Sequence, residues 1–146
     1  MTRLLVFGSR SWSTTPKGKR PTADESYKAD FERILLWNAL DTDGPAPTVI
    51  IEGEAIGADQ CARRWAKARG VDVDPYPVDI SKDGDWPAAG HRRNARMHRD
   101  GKPDRAIGFI SGKVGSPMSK GSAGMLAICR RAGTPVIVYR EDGVEA

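Results

Sequence analysis

A chain of 146 residues matches one domain and is long enough to bury a real core. Its 39% apolar and 29% charged residues are ordinary for a soluble protein, and no run approaches the ~18 apolar residues of a membrane span. Twenty-three basic residues against 19 acidic ones give a net charge of +4. That balance suits an anionic ligand such as a nucleotide, but it excludes a polycationic coat for nucleic acid.

The first apolar run, Leu4-Leu5-Val6-Phe7, is too short for a signal peptide and reads as a strand buried on both faces. It ends in Gly8-Ser9-Arg10. Residues 11 to 23 are rich in Ser, Thr, Pro, Gly and Lys, which predicts a mobile polar loop with a basic cluster at Lys17, Lys19 and Arg20. Thr22 or Asp24 is placed to cap the helix that follows, in which Tyr27, Phe31, Ile34, Leu35 and Leu40 recur at helical spacing.

The run Asp43-Gly44-Pro45-Ala46-Pro47 breaks that helix. Thr48 to Ile51 predicts a second buried strand, leading into Glu52-Gly53-Glu54-Ala55-Ile56-Gly57-Ala58-Asp59. Asp59 is placed as the N-cap of a helix that Gly70 ends. Val71 to Val78 alternates and carries prolines, as an edge strand does. After a loop with Trp86-Pro87, residues 88 to 99 predict a basic helix, with His91, Arg92, Arg93, Arg96, His98 and Arg99. Ala106 to Ile110 predicts the fourth strand, 111 to 121 a glycine-rich loop, Ser122 to Arg131 a helix, and Val136 to Tyr139 the fifth strand. The polar tail from about 141 to 146 reads as frayed.

Strands alternating with helices predict a single α/β domain over residues 1–146, Rossmann-like and three-layered, with five parallel strands and helices on both faces. Ligands of such sheets sit at the carboxyl ends of the strands. Three strand ends here carry small or polar loops: Gly8-Ser9-Arg10, Glu52 through Gly57, and Ser111 through Ser122. Glycines allow close backbone approach, helix starts offer N–H groups, and Arg10 and Lys120 add positive charge. The G-x-G-x-x-G fingerprint and the phosphate loop ending G-K-[ST] are both absent, which disfavours a nicotinamide dehydrogenase or a P-loop ATPase. Cys61 and Cys129 lie in helical patterns without nearby ligand partners. They read as buried thiols of a cytoplasmic protein, with no metal site and no resident cofactor expected.

Gly8-Ser9-Arg10 with Trp12, the Glu52-Gly53-x-Ala55-x-Gly57-Ala58-Asp59 loop, Trp65-Ala66, and Ala89-Gly90-x-Arg92-Arg93-Asn94-x-x-Met97 together resemble the YspA-like branch of the SLOG superfamily. Asp104, Phe109 and Gly121-Ser122 followed by Met125 agree, so the resemblance runs from about residue 3 to 139. It implies a Rossmann-like fold and a nucleotide or nucleotide-derived ligand, in a phage or bacterial signalling or conflict setting. The superfamily also holds cytokinin-activating phosphoribohydrolases and a DNA-processing protein that binds single strands. The hydrolases carry a Glu on the fourth-strand loop, and Met125 occupies its place here. An acid common after the turn is Gly124 here, and Val114 to Ser119 looks inserted.

The expected ligand contacts are Gly8, Ser9, Arg10, Glu52, Gly53, Ala55, Gly57, Ala58, Asp59, Arg93, Asn94, Lys120, Gly121 and Ser122. Glu52 has two roles open to it, as a ribose-binding carboxylate or glycosidic acid–base, or as a structural carboxylate paired with an Arg. Arg92, Arg93 and Asn94 are consecutive on a helix and cannot all face one way; Arg93 and Asn94 are the pocket choices. Trp12 and Trp86 are placed either to stack on a base or to pack. Two other readings stay open: a nucleotide N-glycosidase using Glu52, and a single-strand nucleic-acid module using the basic helix and loop. Relatives commonly pair through helices, which leaves room for a homo-oligomer.

Overall fold

The computed structural model describes residues 1–145. The elements run β1 (Arg3–Gly8), α1 (Ala23–Thr42), β2 (Val49–Glu52), α2 (Ala58–Arg69), β3 (Asp72–Pro75), α3 (Ile80–Asp83), α4 (Ala89–Gly101), β4 (Arg105–Phe109), α5 (Lys120–Ala132), β5 (Val136–Arg140) and β6 (Gly143–Glu145). They build one sheet in the order β3-β2-β1-β4-β5-β6. The first five strands in that order are parallel.

Alternation along the strands splits the core in two. Leu4, Val6, Ile50, Ile107 and Phe109 face α1 and α2, where Leu36, Cys61, Ala62 and Trp65 meet them. Leu5, Phe7, Ile51, Ala106 and Ile110 face α4 and α5, against Met97, Met125 and Cys129. Continuous apolar strands are thus read out as a sheet covered on both sides. The small residues Ala58, Ala62 and Ala66 let α2 lie close to the sheet.

Helix ends follow local chemistry. Thr22 caps α1 in a reciprocal box: its hydroxyl accepts from Glu25 N at 3.1 Å, and Glu25 accepts from Thr22 N at 2.9 Å. Gly70 ends α2 in the left-handed conformation.

Four expectations are corrected. The sheet has six strands, and β6 pairs antiparallel with β5 (Tyr139 opposite Val144). The tail expected to fray is therefore this edge strand, except Ala146, which lies outside the described residues. Its acids also brace the glycine-rich loop. Asp142 accepts from Val114 N at 2.8 Å, Glu145 accepts from Gly115 N at 2.8 Å, and the buried Arg140 donates to Ser111 O at 3.1 Å. The loop after β1 is pinned where it begins. Trp12 is fully buried and donates to Glu32 O at 3.0 Å, and the Ser13 hydroxyl donates to Ala29 O at 3.0 Å. Finally, the apolar spacing read on α1 is right only in its second half. Leu35 and Leu40 pack into the core, but Tyr27, Phe31 and Ile34 are exposed, while Ala29, Glu32, Leu36 and Ala39 face inward. Apolar residues lie all round this helix, so periodicity alone does not select its buried side. Among the described residues, no helix is long and apolar enough to cross a membrane.

Candidate functional site

The chain leaves β1 toward α1 on one face of the sheet and leaves β4 toward α5 on the other. The adjacent carboxyl ends of β1 and β4 are therefore a topological switch point, where the two departing loops open a crevice. Ser9 ties the loops around it. Its N–H donates to Phe109 O at 3.0 Å, its hydroxyl accepts from Ser111 N at 2.9 Å, and its carbonyl accepts from Ala58 N at 3.2 Å.

Two glycines permit that knot. A Cβ on Gly8 would lie 2.1 Å from Phe109 O. Gly57 sits at φ +91°, where a Cβ would lie 2.2 Å from Ser9 O. Neither position accepts a side chain without moving backbone.

A cavity of about 880 Å³ fills the crevice, within the ordinary range for small-molecule sites. Gly8, Ser9 and Arg10 form one wall, and Ala55 and Asp59 a second. The start of α4 forms a third through Trp86, Gly90, His91, Arg93 and Asn94. The first turn of α5 completes it with Ser119, Lys120, Gly121 and Ser122, over a floor that includes Phe7, Met97 and Met125.

Two helix N-termini meet there. Ala88 offers α4 no side-chain cap, so the N–H groups of Ala89, Gly90 and His91 have no intrahelical acceptor. Ser119 caps only Ser122 N, at 3.3 Å, which leaves Lys120 N and Gly121 N in the same condition. Both helix dipoles therefore put partial positive charge at the cavity. Arg10 and Lys120 are exposed and make no hydrogen bond or ion pair among the described residues. The cavity wall is thus basic, with Asp59 its one carboxylate among the described residues.

Asp59 is not the cap of α2, contrary to expectation. Gly57 holds the N-cap position and makes no side-chain cap. The Asp59 carboxylate reaches back instead, and its Oδ2 accepts from Gly53 N at 3.1 Å and Ala55 N at 3.3 Å. Burial, with the nearby Glu52 charge, pushes its pKa up to about 7 against those two hydrogen bonds. Arg93 sits beside it, half-buried, and donates to Gly53 O at 2.5 Å and Tyr76 O at 3.0 Å. Asn94 accepts from Arg93 Nε at 3.0 Å and donates to Gly121 O at 3.3 Å, which links α4 to α5. Arg92 points elsewhere and donates to Asp83 O at 3.3 Å.

Glu52 lies outside the cavity lining and is fully buried. Its Oε1 accepts from Arg63 Nε at 3.1 Å and Nη2 at 2.5 Å, and its Oε2 accepts from Glu54 N. Burial pushes its pKa up, and those donors oppose the shift. The structural alternative for this residue, a carboxylate paired with an Arg, describes that geometry. Gly57 and Ala58 also lie outside the lining, and Gly53 lines a smaller neighbouring recess. The remaining ten expected contacts line the main cavity.

Sequence reasoning missed Pro87 and His91 as lining residues, whereas Trp86, for which the sequence leaves stacking on a base open as one of two roles, does line the cavity. Their signal was the loop running straight into an uncapped helix start. Trp12 is a core residue, whereas Trp86 is 58% exposed at the cavity mouth.

Two comparisons bear on this arrangement. The model of the YspA, cpYpsA-related SLOG family matches residues 2–82, which run from β1 into α3 and so include Gly8-Ser9-Arg10 and the β2–α2 loop. The chain belongs to that family. The "Gene 61 protein" of Mycobacterium phage D29 is 30% identical over 145 residues, covering 95% of this chain and 97% of the phage protein. In this family member, the switch-point cavity draws the smaller part of its lining from the family-matched segment. The larger part, the Trp86–Pro87 corner, α4 and the start of α5, comes from the region after residue 82. Among the described residues, no group of three or more His, Cys, Asp or Glu side chains could hold a metal ion.

Proposed function

We propose that the chain binds a nucleotide or nucleotide-derived anion in the switch-point cavity, as a cytoplasmic signalling or defence protein of phage or bacterial origin. One observation carries the reading. Two helix N-termini with open N–H groups, α4 uncapped and α5 capped only at Ser122 N, and two cations without partners among the described residues, Arg10 and Lys120, line one cavity of nucleotide size. A phosphate satisfies the N–H groups and the charges together. Membership of the SLOG family supports it.

Binding is favoured over N-glycoside hydrolysis by what lines the cavity. Met125, at the place where the hydrolases carry a Glu, gives the floor an apolar side chain. Glu52 is turned to Arg63. The basic helix is likewise engaged within the protein: Arg96 makes a bidentate pair with Asp83 at 2.9 and 2.8 Å, and Arg99 pairs with Asp100. That favours a small ligand over a nucleic-acid strand.

Thermal unfolding against a panel of nucleotides, sugar nucleotides and cyclic nucleotides tests the reading. A ligand present at a hundredfold its Kd should stabilise the protein by about 2.7 kcal/mol, a shift of several degrees. No shift with any member would overturn it. Release of free base from nucleoside monophosphates, abolished in Asp59→Asn, would assign hydrolysis instead.

A further inference from the structure

Next to the main cavity lies a recess of about 270 Å³, and the two share Arg10, Ala55, Trp86 and Arg93 in their walls. The recess adds surfaces that the main cavity lacks. Ile56, Pro77 and Val78 give it an apolar side, alongside the Glu54 carboxylate and the shared Arg10 and Arg93. Ile56 and Trp86 are both among the large apolar side chains left exposed, at 45% and 58%. The isolated chain thus leaves an indole and a branched aliphatic side chain facing water beside the anion-binding wall, with Arg10 common to both compartments.

From this juxtaposition we infer that the ligand is two-lobed: a dinucleotide or nucleoside diphosphate conjugate whose second ring system fills the Ile56–Val78–Trp86 recess while its phosphates pass Arg10. The inference rests on the nucleotide-binding reading and names the ligand class. A mononucleotide leaves the recess empty and its apolar walls wet. A second planar ring covers them, and the Trp86 indole gives it a surface to stack on. The recess is too small for a second nucleotide with its own phosphate site, and no helix start opens into it. With the Glu54 carboxylate in its wall beside Ile56, Val78 and Trp86, it suits a ring better than another anion.

Titration calorimetry with ADP and diadenosine diphosphate, with the guanine pair run in parallel, tests the inference. The dinucleotide carries less charge than ADP, so a gain in affinity cannot come from phosphate charge. Wild type should favour the dinucleotide about tenfold, the worth of one stacked ring. Ile56→Asn, which makes the recess polar without adding charge beside Arg10, and Val78→Trp, which fills it, should each bring that preference to near unity with ADP affinity unchanged. Both side chains line the recess and not the main cavity. Equal affinity of wild type for the two ligands, or a preference that survives both variants, would overturn the inference and leave mononucleotide binding standing. Failure of every nucleotide to bind would instead remove the reading on which it rests.

Discussion

After β2, the segment from Glu52 to Asp59 turns its polar groups inward. Glu52 accepts from Arg63 and Glu54 N, Asp59 accepts from Gly53 N and Ala55 N, and Ala58 N is bonded to Ser9 O. After β4, the chain ends differently. Ser111 to Gly115 is braced by Arg140 and the C-terminal acids, but Lys120 and Gly121 keep open N–H groups and a free ammonium at the cavity. As sequence, both are glycine-bearing strand-to-helix loops. In three dimensions one is a finished wall and the other an open donor set. A glycine loop at a strand end therefore indicates a ligand site only where its N–H groups lack protein acceptors.

The sharpest break in that comparison comes from its glycines. Gly8→Ala and Gly57→Ala should each cost at least about 3 kcal/mol in urea unfolding, because backbone must move at both positions. A cost below 1 kcal/mol would show that the Ser9 knot is not tight. Next, Arg63→Ala should cost about 3 kcal/mol by leaving the Glu52 carboxylate buried without its partner, and Glu52→Gln should cost less. Nucleotide affinity should change little in Glu52→Gln; a tenfold loss would return Glu52 to the ligand.

Asp59 gives the comparison a pH signature. Its ordinary pKa is 3.8 and its folded value is about 7, so the native state holds a proton that the unfolded chain has lost between those limits. Stability from this group is present below pH 4 and is lost as pH rises to 7, by an amount on the order of a few kcal/mol. Glu52, pushed up by burial, adds the same sign. Unfolding free energies of wild type minus Asp59→Asn, measured from pH 4 to 8, should fall across that window; a flat difference would mean the carboxylate is comfortable when ionised.

The open side should respond in the opposite way. Arg10→Ala and Lys120→Ala should alter stability by no more than about 0.5 kcal/mol, yet weaken nucleotide binding tenfold or more. The smallest effect is at Gly121, where an added Cβ meets nothing within 4 Å. Gly121→Ala should stabilise the helix by about 0.5–1 kcal/mol, measured by thermal unfolding; destabilisation would show that the first turn of α5 is packed.

Much of the fold was legible because buried parallel strands are short apolar runs that end in small or polar residues, as Leu4 to Phe7 does at Gly8 and Ala106 to Ile110 does at Ser111-Gly112. The strand Gly143–Glu145 was not, since three residues among acids carry no apolar pattern and depend on β5 for pairing. The buried face of α1 was hidden because Tyr27, Phe31 and Ile34 outshine Ala29 and Ala39 in any count of apolar spacing. Within the site, residue types at strand ends located most of the cavity wall. Which carboxylate faces it was not legible, since Glu52 and Asp59 differ only in whether Arg63 or the Gly53 and Ala55 amides lie within reach.

Amide chemical-shift mapping tests the central claim most directly, using whichever nucleotide stabilises the protein most. The predicted result is that the largest shifts fall on Ala89, Gly90, His91, Lys120 and Gly121, the open helix starts, with smaller ones at Ser9 and Arg10. Shifts centred on Glu52 and Arg63, or on the exposed loop from Lys17 to Arg20, would contradict it.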